Sequence, residues 1–377
     1  MNKRNLKNIE WSILICILLL VIIGLIALYS ASQGTELDAF KKQCIWILIS
    51  IPIMCAVMFI DYNVIARFSW IFYAVFMILL VVVLFTGAIN GATSWFNMGL
   101  LSFQPGELAK IFVILFLSYT IVNIQANGKN QINRPSKLAI VLLIGLAPTF
   151  LIAIQPDYGT ALAYIVAITL ILYVAGIDKK YIITTFAILV IALPLLYFFV
   201  LPDHAKSRIE VYLNPNLDPR GAGYNIIQSK LAIGAGKLFG MGWLNGTQTQ
   251  LGFLYPKTTD FIFPVIVEEL GVLVGILILL VYTYIIFRIL GIAKRCYSLS
   301  HSMICYGVAS YIFVHVFINL VGVLGLLPLT GVPLPFLSYG GSYALCLTIS
   351  LTIVQRINYE TSIMRQEEKL KNKINEI

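Results

Sequence analysis

Charge is scarce in this sequence. Asp, Glu, Lys and Arg supply 11% of its 377 residues, against roughly a quarter in a soluble domain, so water is not its main solvent. Polar stretches long enough to fold separately are missing too, which leaves a single domain, 1–377. Histidine is limited to His204, His301 and His315, too scattered for a zinc motif. The cysteines Cys16, Cys44, Cys55, Cys296, Cys305 and Cys346 show neither CxxC nor disulfide-like spacing, and all but Cys296 lie in apolar runs. Thiol and zinc chemistry are set aside. The run Gly234-Ala235-Gly236-Lys237-Leu238 lacks the GxxxxGKS/T spacing of a phosphate loop. Its glycines, with Gly240, Gly242 and Gly246, read instead as permitting tight turns or close approach to a substrate.

Apolar sequence, by contrast, is abundant: 59% of residues are hydrophobic and the mean hydropathy is +0.90. Apolar runs of roughly 16–25 residues recur near 11–29, 43–60, 68–85, 107–124, 138–154, 161–175, 181–201, 264–287, 302–327 and 340–355. The expected fold is therefore all-α, a polytopic integral membrane protein of about ten transmembrane helices. The sixth run is short and extends toward Asp157–Thr160 if it crosses fully. The first, at about 19 residues, exceeds the 7–15 of a signal-peptide core and reads as a span that stays in place.

The formal net charge of +9 does not point to nucleic acid, because the basic residues sit between apolar runs and at the ends. One set of connections carries Lys3, Arg4, Lys7, Arg67, Lys129, Arg134, Lys137, Lys179, Lys180, Arg288, Lys294, Arg295 and the basic residues of 356–377. The short connections of the other set carry Lys41 and Lys42. The positive-inside rule then places both termini, and the tail 356–377, in the cytoplasm. It also puts the long segment 202–260 outside, and loops of that length are commonly functional. Within it, Ile227, Leu231, Ala235 and Leu238 share one stripe of a helix over Ile226–Leu238, which suits a helix lying in the membrane interface.

Ionisable groups inside spans are costly, so each is a functional candidate. Glu107 and Lys110 stand at i and i+3 at the outer end of the fourth run, either an internal ion pair or the wall of a site. Asp157, in Gln155-Pro156-Asp157-Tyr158-Gly159-Thr160, reads as a helix cap or a functional carboxylate. Asp260 ends the long loop just before Pro264, as an N-cap or an acceptor carboxylate at the water–lipid boundary. Glu268 and Glu269 lie one to two turns deeper. Carboxylates roofed by a basic loop suit an anionic head group, from a lipid-linked phosphate sugar to a transported anion.

Several segments resemble the SEDS family (shape, elongation, division and sporulation), the RodA/FtsW group of peptidoglycan polymerases. They are Gly91-Ala92-Thr93-Ser94-Trp95, Gln104-Pro105-Gly106-Glu107-Leu108-Ala109-Lys110, Gln155 to Thr160, Gly221-Ala222-Gly223-Tyr224 and Gln228-Ser229-Lys230. Thr259-Asp260-Phe261-Ile262-Phe263, Glu268-Glu269-Leu270-Gly271 and the run from Gly331 to Ser342 complete the set. Gly246-Thr247-Gln248, His315 to Asn319 and, more weakly, Arg208 with Asn214-Pro215 resemble the elongation-type RodA branch.

The resemblance implies a glycosyltransferase that polymerises lipid II on the outer membrane face, with undecaprenyl diphosphate leaving and the anomeric centre inverting. Asp260 matches the family's loop carboxylate and is expected as general base toward the acceptor 4-hydroxyl. Arg208, Lys230 and Lys110 are candidates to hold the diphosphate. Glu107, Asp157, Gln228, Glu268, Ser338 and Ser342 join the expected substrate-binding set. The expected partner is a class B penicillin-binding protein. A divalent cation near the diphosphate is compatible with this scheme, although no metal-ligand spacing is visible.

The chain departs from the family in Tyr255-Pro256-Lys257-Thr258, which lacks the usual Glu and His, and at Gly106 and Thr93, where Ser and a basic residue are common. Two rival readings remain at this point, a lipid II flippase or other transporter, and a scaffold that recruits a partner. Intramembrane charge serves a transporter equally well.

Overall fold

The computed structural model describes residues 8–35, 37–86, 93–97, 102–199, 206, 210, 222–328 and 330–375. In chain order these form α1 (Trp11–Ala31), α2 (Asp38–Phe59) and α3 (Tyr62–Val83), then a two-residue antiparallel pair, β1 (Phe96–Asn97) with β2 (Ser102–Phe103). There follow α4 (Pro105–Gln125), α5 (Pro135–Ile154), α6 (Tyr158–Val174), α7 (Lys179–Phe199) and α8 (Ala222–Ala235). The chain ends with α9 (Ile262–Leu270), α10 (Val272–Arg295), α11 (Leu299–Val323) and α12 (Ser342–Asn375). Arg208, Gly91 and Ala92 lie outside the described residues.

The chain is a polytopic, all-α integral membrane protein. Among the described residues, α1 to α5, α10 and α11 are each long and apolar enough to cross a bilayer, and α6 adds a shorter apolar helix of 17 residues. As far as they are described, all ten apolar runs fall on helices, with two changes of shape. The eighth run, expected as one helix over 264–287, is broken at Gly271 into α9 and α10. The tenth continues without interruption into the charged tail: α12 has 34 residues, about 51 Å at 1.5 Å per residue, well beyond a hydrocarbon core of about 30 Å.

Burial sorts the helices. In α11 78% of the apolar window is buried and in α4 61%, against 17% in α2 and α3. α11 packs on α4, α6 and α10, while α12 lies against α2 and α4. Small residues allow this approach: a Cβ on Gly307 of α11 would stand 2.9 Å from Ile114 and 3.1 Å from Ile171, the close backbone packing favoured between membrane helices. At the face carrying both termini, the Gln355 amide bonds both the N–H and the C=O of Glu10, each at 3.0 Å, and Arg288 pairs with the Glu10 carboxylate. Burial works against ionising Glu10, but the bonds from Arg288 and Ser12 outweigh it and hold its pKa below the usual value.

The opposite face, called here the loop face, carries α8 and α9. The helix expected over Ile226–Leu238 is present as α8, and Ile227 and Leu231 of its apolar stripe are exposed, as is Leu238 just beyond. Its other side buries Ile226, Ser229 and Ala232, and the Ser229 hydroxyl bonds the Val323 carbonyl at 2.7 Å.

Candidate active site

The loop face is organised by the break between α9 and α10. Gly271 stops α9 by turning to φ +92°, a conformation that Gly adopts without a Cβ penalty. A break leaves carbonyls at the end of one helix and N–H groups at the start of the next without intrahelical partners. The glycine-rich segment supplies both. The Met241 and Gly242 N–H groups donate to the Glu268 and Glu269 carbonyls at 2.8 and 3.1 Å. In return, Val272 and Leu273 N–H donate to the Lys237 and Leu238 carbonyls at 2.9 and 3.3 Å. A Cβ on Gly240 would come 2.2 Å from the Glu269 carbonyl oxygen. The close approach these glycines permit is to the broken helix.

The loop before α9 carries Asp260. Phe261 is the N-cap residue and α9 has no side-chain cap bond, so Asp260 stands one position before the cap. Three successive carbonyls are gripped from the proline-rich loop and α11. Thr258 accepts from Tyr339 N at 2.9 Å, Thr259 from Ser338 Oγ at 2.7 Å and Asp260 from Asn319 Nδ2 at 3.0 Å. Ser338 Oγ also accepts from Leu334 N at 2.9 Å. The half-buried Asp260 carboxylate lies over Gly331, where φ is +71° and a Cβ would approach Oδ2 to 3.7 Å.

Glu268 and Glu269 are buried. Glu268 accepts from Gln248 N, Thr249 N and Thr249 Oγ1 at 2.7, 3.0 and 2.7 Å, so its charge caps the helical turn Thr247–Gln250. Glu269 accepts from Ser30 Oγ at 2.6 Å and Gln250 Nε2 at 2.9 Å. At the other end of the turn, Lys257 Nζ donates to the Thr249 carbonyl at 2.9 Å. Burial pushes the Lys257 ammonium down in pKa, partly offset by the charge of Glu269.

A second cluster lies deeper, on α4, α6, α11 and α12. Lys110 and Glu107 are each 1% exposed and pair at 3.1 Å. Lys110 Nζ also stands 2.8 Å from His315 Nε2 and faces the Tyr164 and Tyr311 rings. With Lys110 charged, Nε2 is the acceptor and His315 is neutral. Glu107 and Lys110 thus form an internal ion pair. Thr160 Oγ1 donates to Glu107 at 3.3 Å, and Thr160 N donates to Asp157, which caps α6. Gln104 Nε2 donates to Asp157 at 2.6 Å, and Gln104 N donates to Ser342 Oγ at 3.0 Å. Asp157 lies in the turn before α6. Burial, reinforced by the Glu107 charge, raises its pKa to about 6 against the opposing Thr160 bonds and Lys110.

The expected site residues thus separate into three places. Asp260 and Ser338 meet at the loop before α9, with Glu268 at the far end of that helix against Thr247–Gln250; Glu107, Lys110, Asp157 and Ser342 belong to the deeper cluster. On α8, Gln228 is half-buried and Lys230 is exposed, its Nζ 2.7 Å from where a Gly325 Cβ would lie. Asn319, His315, Gln104 and Lys257 were not singled out as site residues by sequence. For His315 and Asn319 the available signal was two polar residues at i and i+4 in an apolar span. No cluster of three or more metal-ligating side chains occurs among the described residues. Both Glu268 oxygens and Glu269 Oε1 accept from N–H and O–H donors.

A membrane-embedded bundle with buried Glu268 and Glu269 at its loop face and a half-buried Asp260 on a gripped loop defines the class. The chain belongs to the FtsW/RodA/SpoVE family, whose model, described as cell cycle protein, matches residues 10–363. It is 38% identical over 355 residues to the peptidoglycan glycosyltransferase MrdB of Escherichia coli K12, covering 93% of this chain and 94% of that one. Identity to the peptidoglycan glycosyltransferase RodA of Treponema pallidum is 28%, over 95% and 99% of the two chains. A chain of a solved peptidoglycan synthase complex, described as coordinating polymerization and crosslinking, superposes with TM-score 0.81 at 25% identity, covering 94% and 98%. The rod shape determining protein RodA of Thermus thermophilus shares the fold, with TM-score 0.69, 24% identity and coverage of 94% and 97%.

Proposed function

We propose that this chain is a peptidoglycan glycosyltransferase that polymerises lipid II into glycan strands, with Asp260 as its general base. The observation that carries the reading is the grip on Asp260: a half-buried carboxylate on a loop fixed at three successive carbonyls. A base must be held within hydrogen-bond reach of the proton it removes. Asp260 takes the proton of the acceptor 4-hydroxyl as that oxygen attacks the donor's anomeric carbon, and undecaprenyl diphosphate departs with its electron pair. A single displacement on an α-linked donor gives a β-1,4 link with inversion. Lys230 and Arg208 are the cations assigned to the diphosphate; Lys110 is committed to Glu107 and His315.

Orientation follows the charge asymmetry: both termini in the cytoplasm and the loop face outside, where lipid II presents its head group. The similarity to MrdB and RodA supports an elongation role in cell shape. The likeness to a complex that joins polymerization to crosslinking supports a transpeptidase of the class B penicillin-binding type as partner.

The break at Gly271 is the feature that favours a transporter, since broken helices recur in transporter binding sites. One assay separates the readings: purified protein with lipid II in detergent, where there is no membrane to cross, comparing wild type with Asp260→Asn. We expect polymer from wild type and a loss of about 100-fold or more in the variant, the usual worth of a general base. Polymer from the variant at the wild-type rate sinks the base assignment; none from wild type, alone or with its partner, favours transport.

A further inference from the structure

We infer that Asn319 is a positioning residue for Asp260, an assignment that rests on the proposed function. Asn319 is 5% exposed and sits in the last turns of α11, the most enclosed of the apolar spans. Its Nδ2 reaches the Asp260 carbonyl at 3.0 Å and the Val332 carbonyl at 2.8 Å. Both acceptors are carbonyl oxygens, so they fix the amide's orientation: turned over, Oδ1 would face two lone-pair-bearing atoms. One NH2 group therefore ties two loops, distant in sequence, to a rigid helix.

The effect on Asp260 is direct. The gripped carbonyl carbon is bonded to the Asp260 Cα, so the Asn319 contact restrains the direction of the Cα–Cβ bond and hence of the carboxylate. Its second bond holds Val332, the neighbour of Gly331, over which that carboxylate lies. Ser338 and Tyr339 grip the two preceding carbonyls, and Asn319 grips the residue that bears the base. Asn319 Oδ1 is buried with no partner among the described residues. Its two donors therefore have to offset a buried oxygen that is otherwise a cost.

The test uses full-length protein and lipid II polymerisation with Asn319→Ala and Asn319→Asp, beside Asp260→Asn. For Asn319→Ala we expect kcat to fall about 10- to 100-fold, the scale of a small misplacement of a catalytic group, with KM for lipid II within about twofold. Asn319→Asp has the same shape but offers no donor when ionised and one O–H when protonated. Its activity relative to wild type should rise as pH falls from about 8 to about 5.5, surpassing Asn319→Ala. A merely structural role predicts no such pH-dependent rescue. Wild-type kcat for Asn319→Ala, a loss confined to KM or to the yield of folded protein, or an Asp variant never better than Ala each overturns the inference. If Asp260→Asn is inactive while Asn319→Ala is normal, only the positioning role fails; if Asp260→Asn is normal, the base assignment fails instead.

Discussion

Glu107 and Asp260 are both acidic residues at polar sites of one bundle, yet they are held in opposite ways. Glu107 is enclosed and held through its side chain, by Lys110, Thr160 and, one step on, His315. Asp260 is half-buried and its loop is held through backbone oxygens, by Tyr339, Ser338 and Asn319. In the first arrangement the charge is part of the scaffold. In the second the three grips fall on backbone oxygens, so none of these bonds requires the carboxylate to be charged. A base that must cycle needs the second kind of support.

The sharpest way to break this contrast is to remove the cation from the enclosed pair. Lys110→Met leaves Glu107 buried without its counter-charge and should cost about 3–5 kcal/mol, measured by reversible unfolding in mixed micelles. Adding Glu107→Gln should recover part of that loss, because a neutral amide tolerates the site better. A stable Lys110→Met protein would mean the pair is no scaffold. By contrast Asp260→Asn should leave stability within about 0.5–1 kcal/mol of wild type.

Next in size is the support of the broken helix. Gly240→Ala places a Cβ 2.2 Å from the Glu269 carbonyl at φ +82°. It should cost about 2–4 kcal/mol by combining a disfavoured backbone with a displaced contact. Loop-selective proteolysis should reveal the segment around 236–246 lifting from α9 and α10. Ser338→Ala removes the hydroxyl that donates to Thr259 and accepts from Leu334. About 1–3 kcal/mol is expected for leaving such groups unpaired. Activity should fall with it, since this hydroxyl also grips the Asp260 loop.

The frame was legible in the sequence because a span announces itself by composition alone: twenty apolar residues suffice, whatever they touch. Apolarity is silent about a break, however, and residues 264–287 read as one helix because Gly271 is a single residue in an apolar run. The glycines at 236, 240 and 242 were visible, but what they approach depends on residues some thirty positions later. In the same way Asp260, Glu107 and Lys110 stood out as charges near lipid, while Asn319 did not. An uncharged amide in a span carries little penalty in a hydropathy count, and its role depends on two carbonyls supplied by other loops. Side-chain charge is read locally; backbone grips are tertiary facts.

The smallest effect concerns the residue through which the enclosed cluster meets the loop face. Asp157 is linked to Gln104 and Thr160, and burial, reinforced by the Glu107 charge, raises its pKa to about 6, above the roughly 3.9 of an unfolded chain. A raised carboxyl pKa means that the folded protein holds the proton more tightly than the unfolded one. The resulting stabilisation is full below about pH 4 and is lost as pH rises through about 6. Between about pH 8 and pH 5 the melting temperature of wild type should therefore rise by about 1–3 °C more than that of Asp157→Asn, which has no carboxyl to titrate. Parallel melting curves for the two proteins across that window would mean that neither burial nor the Glu107 charge raises the Asp157 pKa in the folded protein. A clear difference would mean that the turn before α6 holds the Asp157 proton more tightly than water does, as its burial beside Glu107 requires.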